Sequence, residues 1–218
     1  RIASIDNSYR WMIELTNLVE LELNNTGITQ LPIETGELKK LQRLSMQGNK
    51  ITTASLQSDW LSKFISLAIL DLSNNLLDRL PASLGTLDSL KELRLEYNEI
   101  DYLETQSDKS STFDGLEILD MASNKLECIP DSIDKFTALR VLYLCHNQIY
   151  TVSRNIATLP NLEFLSLRNN PMGRVPYYVT RISNLKSLWF DGLPGCDYGA
   201  MNIEILDINK VMKQQLTK

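Results

Sequence analysis

The amino-acid sequence predicts an α/β solenoid: a right-handed, curved stack of short repeats with a parallel sheet on its concave side and short helical or 3-10 turns on its convex side. Three observations predict it. An eleven-residue frame, L-x-x-L-x-L-x-x-N-x-L, starts at residues 18, 41, 67, 90, 116, 139 and 162, with a degraded copy at 185. The starts lie 23 or 26 residues apart, the period of one supersecondary unit stacked repeatedly. Between copies, apolar residues recur at every third position, as in Leu84, Leu87 and Leu90, or Ile133, Phe136 and Leu139.

Residues 1–17 are expected to form a partial repeat or an N-terminal cap. Counting 23 residues back from Leu18 puts a final apolar slot at Ile5 and convex slots at Met12 and Leu15. The chain is therefore expected to begin inside a repeat, either as a piece of a longer polypeptide or as a degenerate cap over residues 1–15. Tyr9 and Trp11 then cover the edge of the core.

Eight repeats follow over residues 18–195. Within each frame, period-two alternation turns two leucines inward and the residues between them outward. One turn buries little by itself, so each repeat completes its core with its neighbours' leucines. The asparagine slot holds Asn49, Asn75, Asn98, Asn124, Asn147 and Asn170, with Thr26 in the first copy. Each asparagine is expected to turn inward where its strand ends and to pair loop backbone groups that are otherwise buried without partners. Leu31-Pro32, Leu80-Pro81, Ile129-Pro130 and Val175-Pro176 come next, and a proline, lacking an N–H, marks where sheet pairing stops. The threefold rhythm of the return segment suits a short helix or 3-10 turn that packs one stripe inward.

Two spacings carry three extra residues each. One surrounds Asp59-Trp60-Leu61, where Trp60 is surplus to the rhythm, and the other holds the polar run from Thr105 to Thr112, a surface loop. After Phe190 the frame fails. Asp191 to Gly199 is turn-rich, and Ile208, Val211, Met212 and Leu216 share a helical face behind Asp207. Residues 196–218 are expected to be a C-terminal cap with a helix, a partner-binding amphipathic helix being the alternative.

The frame resembles the leucine-rich-repeat family, and more narrowly its 23-residue class with Leu-Pro after the strand, as in Ras-suppressor-like proteins and bacterial cytosolic-type relatives. The resemblance covers about residues 1–195. It implies that the variable strand residues line the concave surface.

Composition narrows the function. Apolar residues make up 43% of the 218, enough for a core. The formal net charge of −5 argues against nucleic acid or an acidic membrane as partner, since both favour a basic face. No apolar run approaches the roughly 20 residues that cross a bilayer, so membrane insertion is not expected. Cys128, Cys145 and Cys196 are odd in number and scattered, which suits reduced thiols in a cytoplasmic protein. His146 is the sole histidine, too few for a multi-histidine metal site and without the partners of a hydrolase triad. The nine glycines form no phosphate-cradling motif. Asp71 and Asp120 share a frame slot two repeats apart, but paired-carboxylate chemistry needs a pocket that an open sheet lacks. Neither a cofactor, a metal nor an enzymatic activity is expected.

The outward strand positions occupy frame slots 3, 5, 7 and 8, and they divide into two zones. In repeats 1–4, Glu20, Glu22, Asp71, Glu92 and Glu96 outnumber Arg43 and Arg94. In repeats 5–8 the same slots present Ile118, Val141, Tyr143, Phe164 and Trp189, with His146 and Arg168 beside them and Tyr97 at the border. Aromatics with arginine have the composition of binding hot spots, although the same residue types also favour strands for packing reasons alone. These eight residues are the candidate protein-binding site. The expected function is a monomeric, non-catalytic module that binds another protein on its concave face. The alternatives are the recognition domain of a larger enzyme or effector, such as a ubiquitin ligase or phosphatase, and an assembly protein that works through its edges.

Overall fold

The computed structural model of the protein describes residues 14–56, 61–103 and 113–191, without the side chains of residues 33 and 82. The N-terminal cap residues 1–13, Trp60, the 105–112 loop and the C-terminal cap with its helix lie outside the described residues.

Each frame produces a three-residue strand centred on its second leucine. In chain order these are β1 (Glu20–Glu22), β2 (Arg43–Ser45), β3 (Ile69–Asp71), β4 (Glu92–Arg94), β5 (Ile118–Asp120), β7 (Val141–Tyr143), β9 (Phe164–Ser166) and β10 (Ser187–Trp189). They pair in that order in one parallel, eight-stranded sheet. The register never slips, so Leu21, Leu44, Leu70, Leu93, Leu119, Leu142, Leu165 and Leu188 form one column. A slip of one residue would turn every such leucine to water. Six of the eight are 0% exposed, and each burial stabilises by roughly 1.5–3 kcal/mol. The adjoining column, Met46, Leu72, Leu95, Met121, Leu144, Leu167 and Phe190, is buried beside it.

The asparagine slots behave as the sequence predicts. Asn98 donates from Nδ2 to the carbonyls of Leu72 and Leu95 at 3.0 Å each, and its Oδ1 accepts the Leu77 N–H at 3.0 Å. Leu95 in turn accepts a second amide, from Asn124 at 2.9 Å. The pattern recurs from Asn49 to Asn170, so each inward carbonyl from Met46 to Leu144 takes the carboxamide of its own repeat and that of the next. Thr26 stands in at the first copy, giving its hydroxyl hydrogen to Leu23 O.

The return segments are short 3-10 turns. Those at Ile33–Glu37, Ala82–Thr86 and Asp131–Lys135 each start directly after a proline, whose fixed φ enters the turn without needing an N–H. The turn at Arg154–Thr158 follows Ser153 instead, and the Ser153 hydroxyl accepts the Asn155 N–H at 3.0 Å. The first longer spacing holds a single helical turn, α1 (Thr53–Leu56), before its 3-10 turn at Leu61–Lys63. A feature that the frame does not announce is a second parallel pair on the outer flank, β6 (Cys128–Ile129) with β8 (Thr151–Val152). Pro130 ends β6, as a residue without an N–H should. Leu15 departs from expectation: the frame assigns it an inward convex slot, yet it is 43% exposed.

Replacing Asn98 by alanine orphans the buried Leu77 N–H, strips one donor from each of two carbonyls and leaves a void. Chemical denaturation is expected to show a loss on the order of 3 kcal/mol. Thr26→Ala is expected to cost less than about 1 kcal/mol, because Asn49 already donates to the same Leu23 carbonyl.

Candidate functional site

The open face of the sheet is built from frame slots 3 and 5, which flank the inward leucine and so point away from the core. Not every residue placed on it by the sequence reaches solvent. Ser45, Ser73, Ala122 and Ser166 are buried, because small side chains sink between longer neighbours. Slot 8 forms the corner where the chain leaves the strand. Asn25, Asn74, Tyr97, Ser123, His146 and Asn169 all have φ between 53° and 56° there. Gly48 has φ 68°, and a side chain on it would collide with Asn25. Asparagine and glycine are the residues that accept this left-handed conformation most readily, so their recurrence in slot 8 is the signal that could have located the corner.

The structure brings part of the candidate site together. Ile118, Val141 and Phe164 stand side by side in slot 3, and Tyr143, Ser166 and Trp189 in slot 5. Because Ser166 is small, the Phe164 ring leans into the space between its diagonal neighbours. It lies 5.0 Å from the Tyr143 ring and 4.9 Å from the Trp189 ring, tilted on the first and edge-on to the second. Each such pair is worth about 0.5–1.5 kcal/mol beyond area burial, so the three rings hold one another in place. Trp189 remains 37% exposed, while Ile118, Val141, Tyr143 and Phe164 are half-buried.

The other three candidates sit at the margin with partners of their own. Arg168 is held by Asp191, Nε to Oδ1 at 3.1 Å, instead of standing free. The His146 ring meets the side-chain amide of Asn169, 3.0 Å from Nε2. Tyr97 is 60% exposed at its corner, and among the described residues no ring contact joins it to the aromatic run.

The neighbouring zone is acidic. In slot 5, Asp71, Arg94 and Asp120 alternate along adjacent strands, and Tyr143 follows Asp120 directly. Two of these carboxylates have a local structural duty that the sequence reading missed: Asp71 accepts the Ser73 N–H at 2.9 Å, and Asp120 that of Ala122 at 3.0 Å. Arg94 is drawn to Glu92, 2.5 Å away, and lies 3.8 Å from Asp71. Burial raises the Asp120 carboxyl above its ordinary range, with Asp71 and Glu92 adding repulsion against the pull of Ala122 N–H and Arg94. Glu96 is raised as well, first by burial, then by Asp120 and Asp71. Cys145, beside them, is raised chiefly by burial, which keeps it a thiol.

Other chemistry finds little footing. Among the described residues no group of three or more His, Cys, Asp or Glu side chains could hold a metal ion. A hollow of about 110 Å³ lies between the outer turns of the third and fourth repeats, against Leu84, Leu87, Phe113 and Leu116, well below the roughly 300 Å³ at which small-molecule sites begin. No helix among the described residues is long and apolar enough to cross a membrane.

The electrostatics set two opposite pH responses. A carboxyl raised in the folded state costs stability when ionised, and that cost is present above the folded pKa and absent below the unfolded one. Asp120→Asn is therefore expected to be more stable than the parent protein at pH 7, with the difference closing as pH falls through the ordinary carboxylate range near about 4. Asp78 behaves in reverse: it accepts the Thr53 hydroxyl at 2.5 Å, and this bond lowers its pKa. Asp78→Asn is expected to be less stable at neutral pH and to converge with the parent in acid. Thermal unfolding across pH checks both signs.

Comparison with known proteins agrees with this architecture. Three family models match: a leucine rich repeat model over residues 114–172, a two-copy leucine rich repeat model over 16–62, and a single leucine rich repeat model over 66–87. A solved leucine-rich-repeat protein of Leptospira interrogans is 30% identical, with a TM-score of 0.66 over 83% of this chain and 50% of that one. An internalin of Listeria monocytogenes, 22% identical, shares the fold with a TM-score of 0.62 over 87% of this chain and 50% of that one. The chain thus spans about half the length of each. No curated protein matches it. The repeating frame, the unslipped parallel sheet, the asparagine ladder and these matches lead to one conclusion: the chain belongs to the leucine-rich-repeat family, whose fold generally serves as a protein–protein interaction module.

Proposed function

We propose that this protein is a non-catalytic, monomeric cytoplasmic module that docks a partner protein on its concave face. The docking centre is the run Tyr143, Phe164 and Trp189, extended by Ile118 and Val141, with Tyr97, His146 and Arg168 at the margin. The observation that carries the reading is the ring run itself. Three aromatic side chains touch one another on the face that a solenoid leaves to solvent, and apolar surface of that kind marks interaction sites. Their mutual contacts fix the rotamers before binding, which lowers the entropy cost of meeting a partner. The cytoplasmic reading draws on Cys128 and Cys145, both free thiols.

A second reading makes this unit the target-recognition part of a larger enzyme or effector. It is favoured by the two similar solved proteins, each about twice the length that this chain covers. Both readings use the same face.

Affinity capture with the parent protein and with a Tyr143→Ala/Phe164→Ala/Trp189→Ala variant tests the site. A partner bound by the parent is expected to be lost by the triple variant. Each single alanine is expected to weaken binding by about 2 kcal/mol, roughly thirtyfold, if it replaces a central anchor. Equal retention by parent and triple variant removes the assignment.

A further inference from the structure

The apolar run borders on uncompensated negative charge, and the border is sharp. Asp120 lies directly opposite Tyr143 in the parallel register, so its carboxylate and the first ring stand on strands about 4.8 Å apart. Around it lie Asp71, Glu92 and Glu96, and Arg94 bridges Glu92 and Asp71 and attracts Asp120. That guanidinium is taken by Glu92, with Nε to Oε1 at 2.6 Å. Among the described residues, no salt bridge reaches Asp120 or Glu96, and Asp120 and Asp71 both oppose the ionised form of Glu96. The opposite border is different, since Arg168 and Asp191 neutralise each other there.

We infer that the partner segment seated on this face carries a lysine or arginine next to an apolar side chain, the cation lying against Asp120 and Glu96 while the apolar group lies on Tyr143 and Phe164. The inference rests on the docking reading above and adds the partner's chemistry to it. The apolar run is the surface, and the charge beside it says what covers it. A partner cation is what the face lacks, since its own arginine is already committed. The ionised Asp120 costs the free protein stability, and a bound cation offsets that cost at the border where the rings begin. An acidic or purely apolar segment would leave the carboxylates either repelled or buried unpaired.

The test is selection from a random-peptide display library against four immobilised proteins: the parent, an Asp120→Asn/Glu96→Gln variant, a Phe164→Ala variant and a Lys91→Gln surface control. Asparagine at 120 keeps the oxygen that accepts the Ala122 N–H, so the double variant is expected to fold, with circular dichroism and melting as the check. The parent and the control are expected to enrich peptides with a basic residue beside an aromatic or aliphatic one. The double variant is expected to bind those peptides about tenfold more weakly and to lose the basic preference while keeping the apolar one. Raising salt is expected to weaken the parent's binding more than the double variant's. Phe164→Ala is expected to bind them roughly thirtyfold more weakly. Peptides that need Phe164 but show no basic preference overturn this inference and leave the docking face standing. Peptides indifferent to Phe164, or a selection that yields none, overturn both.

Discussion

Everything in this molecule depends on how the chain turns its corner at the end of each strand. A tight corner next to a leucine core leaves backbone groups with no water and no strand to pair with, and each such group costs about 1–3 kcal/mol if left alone. The asparagine of the following repeat supplies the missing partner. Asn75 takes the Ile51 N–H and shares the Met46 carbonyl with Asn49, and so on to Asn170. One side chain thereby serves two turns, which couples neighbours and forbids a slip between them. Stability in such a stack is a sum of nearest-neighbour terms, and these bonds belong to them.

The unslipped register has a functional consequence. When every strand repeats the same alternation at the same height, the residues between the leucines form columns on the far face. A column can then be read as a surface: acidic from β1 to β5, aromatic from β7 to β10. The aromatic cluster is a property of three repeats together, because Phe164 meets Tyr143 and Trp189 only across strand boundaries. The small Ser166 between them makes the contact possible.

Much of this was legible in the amino-acid sequence. The frame located the strands, the six asparagines and the outward slots, since each is repeated many times and each copy supports the others. What a single strand's sequence hides is the pairing between repeats. That Arg168 is occupied by Asp191, that Asp71 and Asp120 cap their own strand ends, and that Ser45 and Ser166 vanish beneath longer neighbours all depend on residues 21 to 23 positions away or on local side-chain reach. The left-handed corner was partly visible in Asn25, Gly48, Asn74 and Asn169, whereas Tyr97 and His146 disguise it. The outer pair β6 and β8 had no signature beyond the proline that ends it.

The claim at the centre of this account is that the three rings face water in the free protein. Hydroxyl-radical footprinting read by mass spectrometry addresses it directly, with Phe64 and Phe136, at 1% and 0% exposure, as internal references for a buried ring. The account predicts that Tyr143, Phe164 and Trp189 are oxidised well above those two. Protection of all three to the level of Phe64 and Phe136 would contradict it, because the face would then be covered by the chain itself.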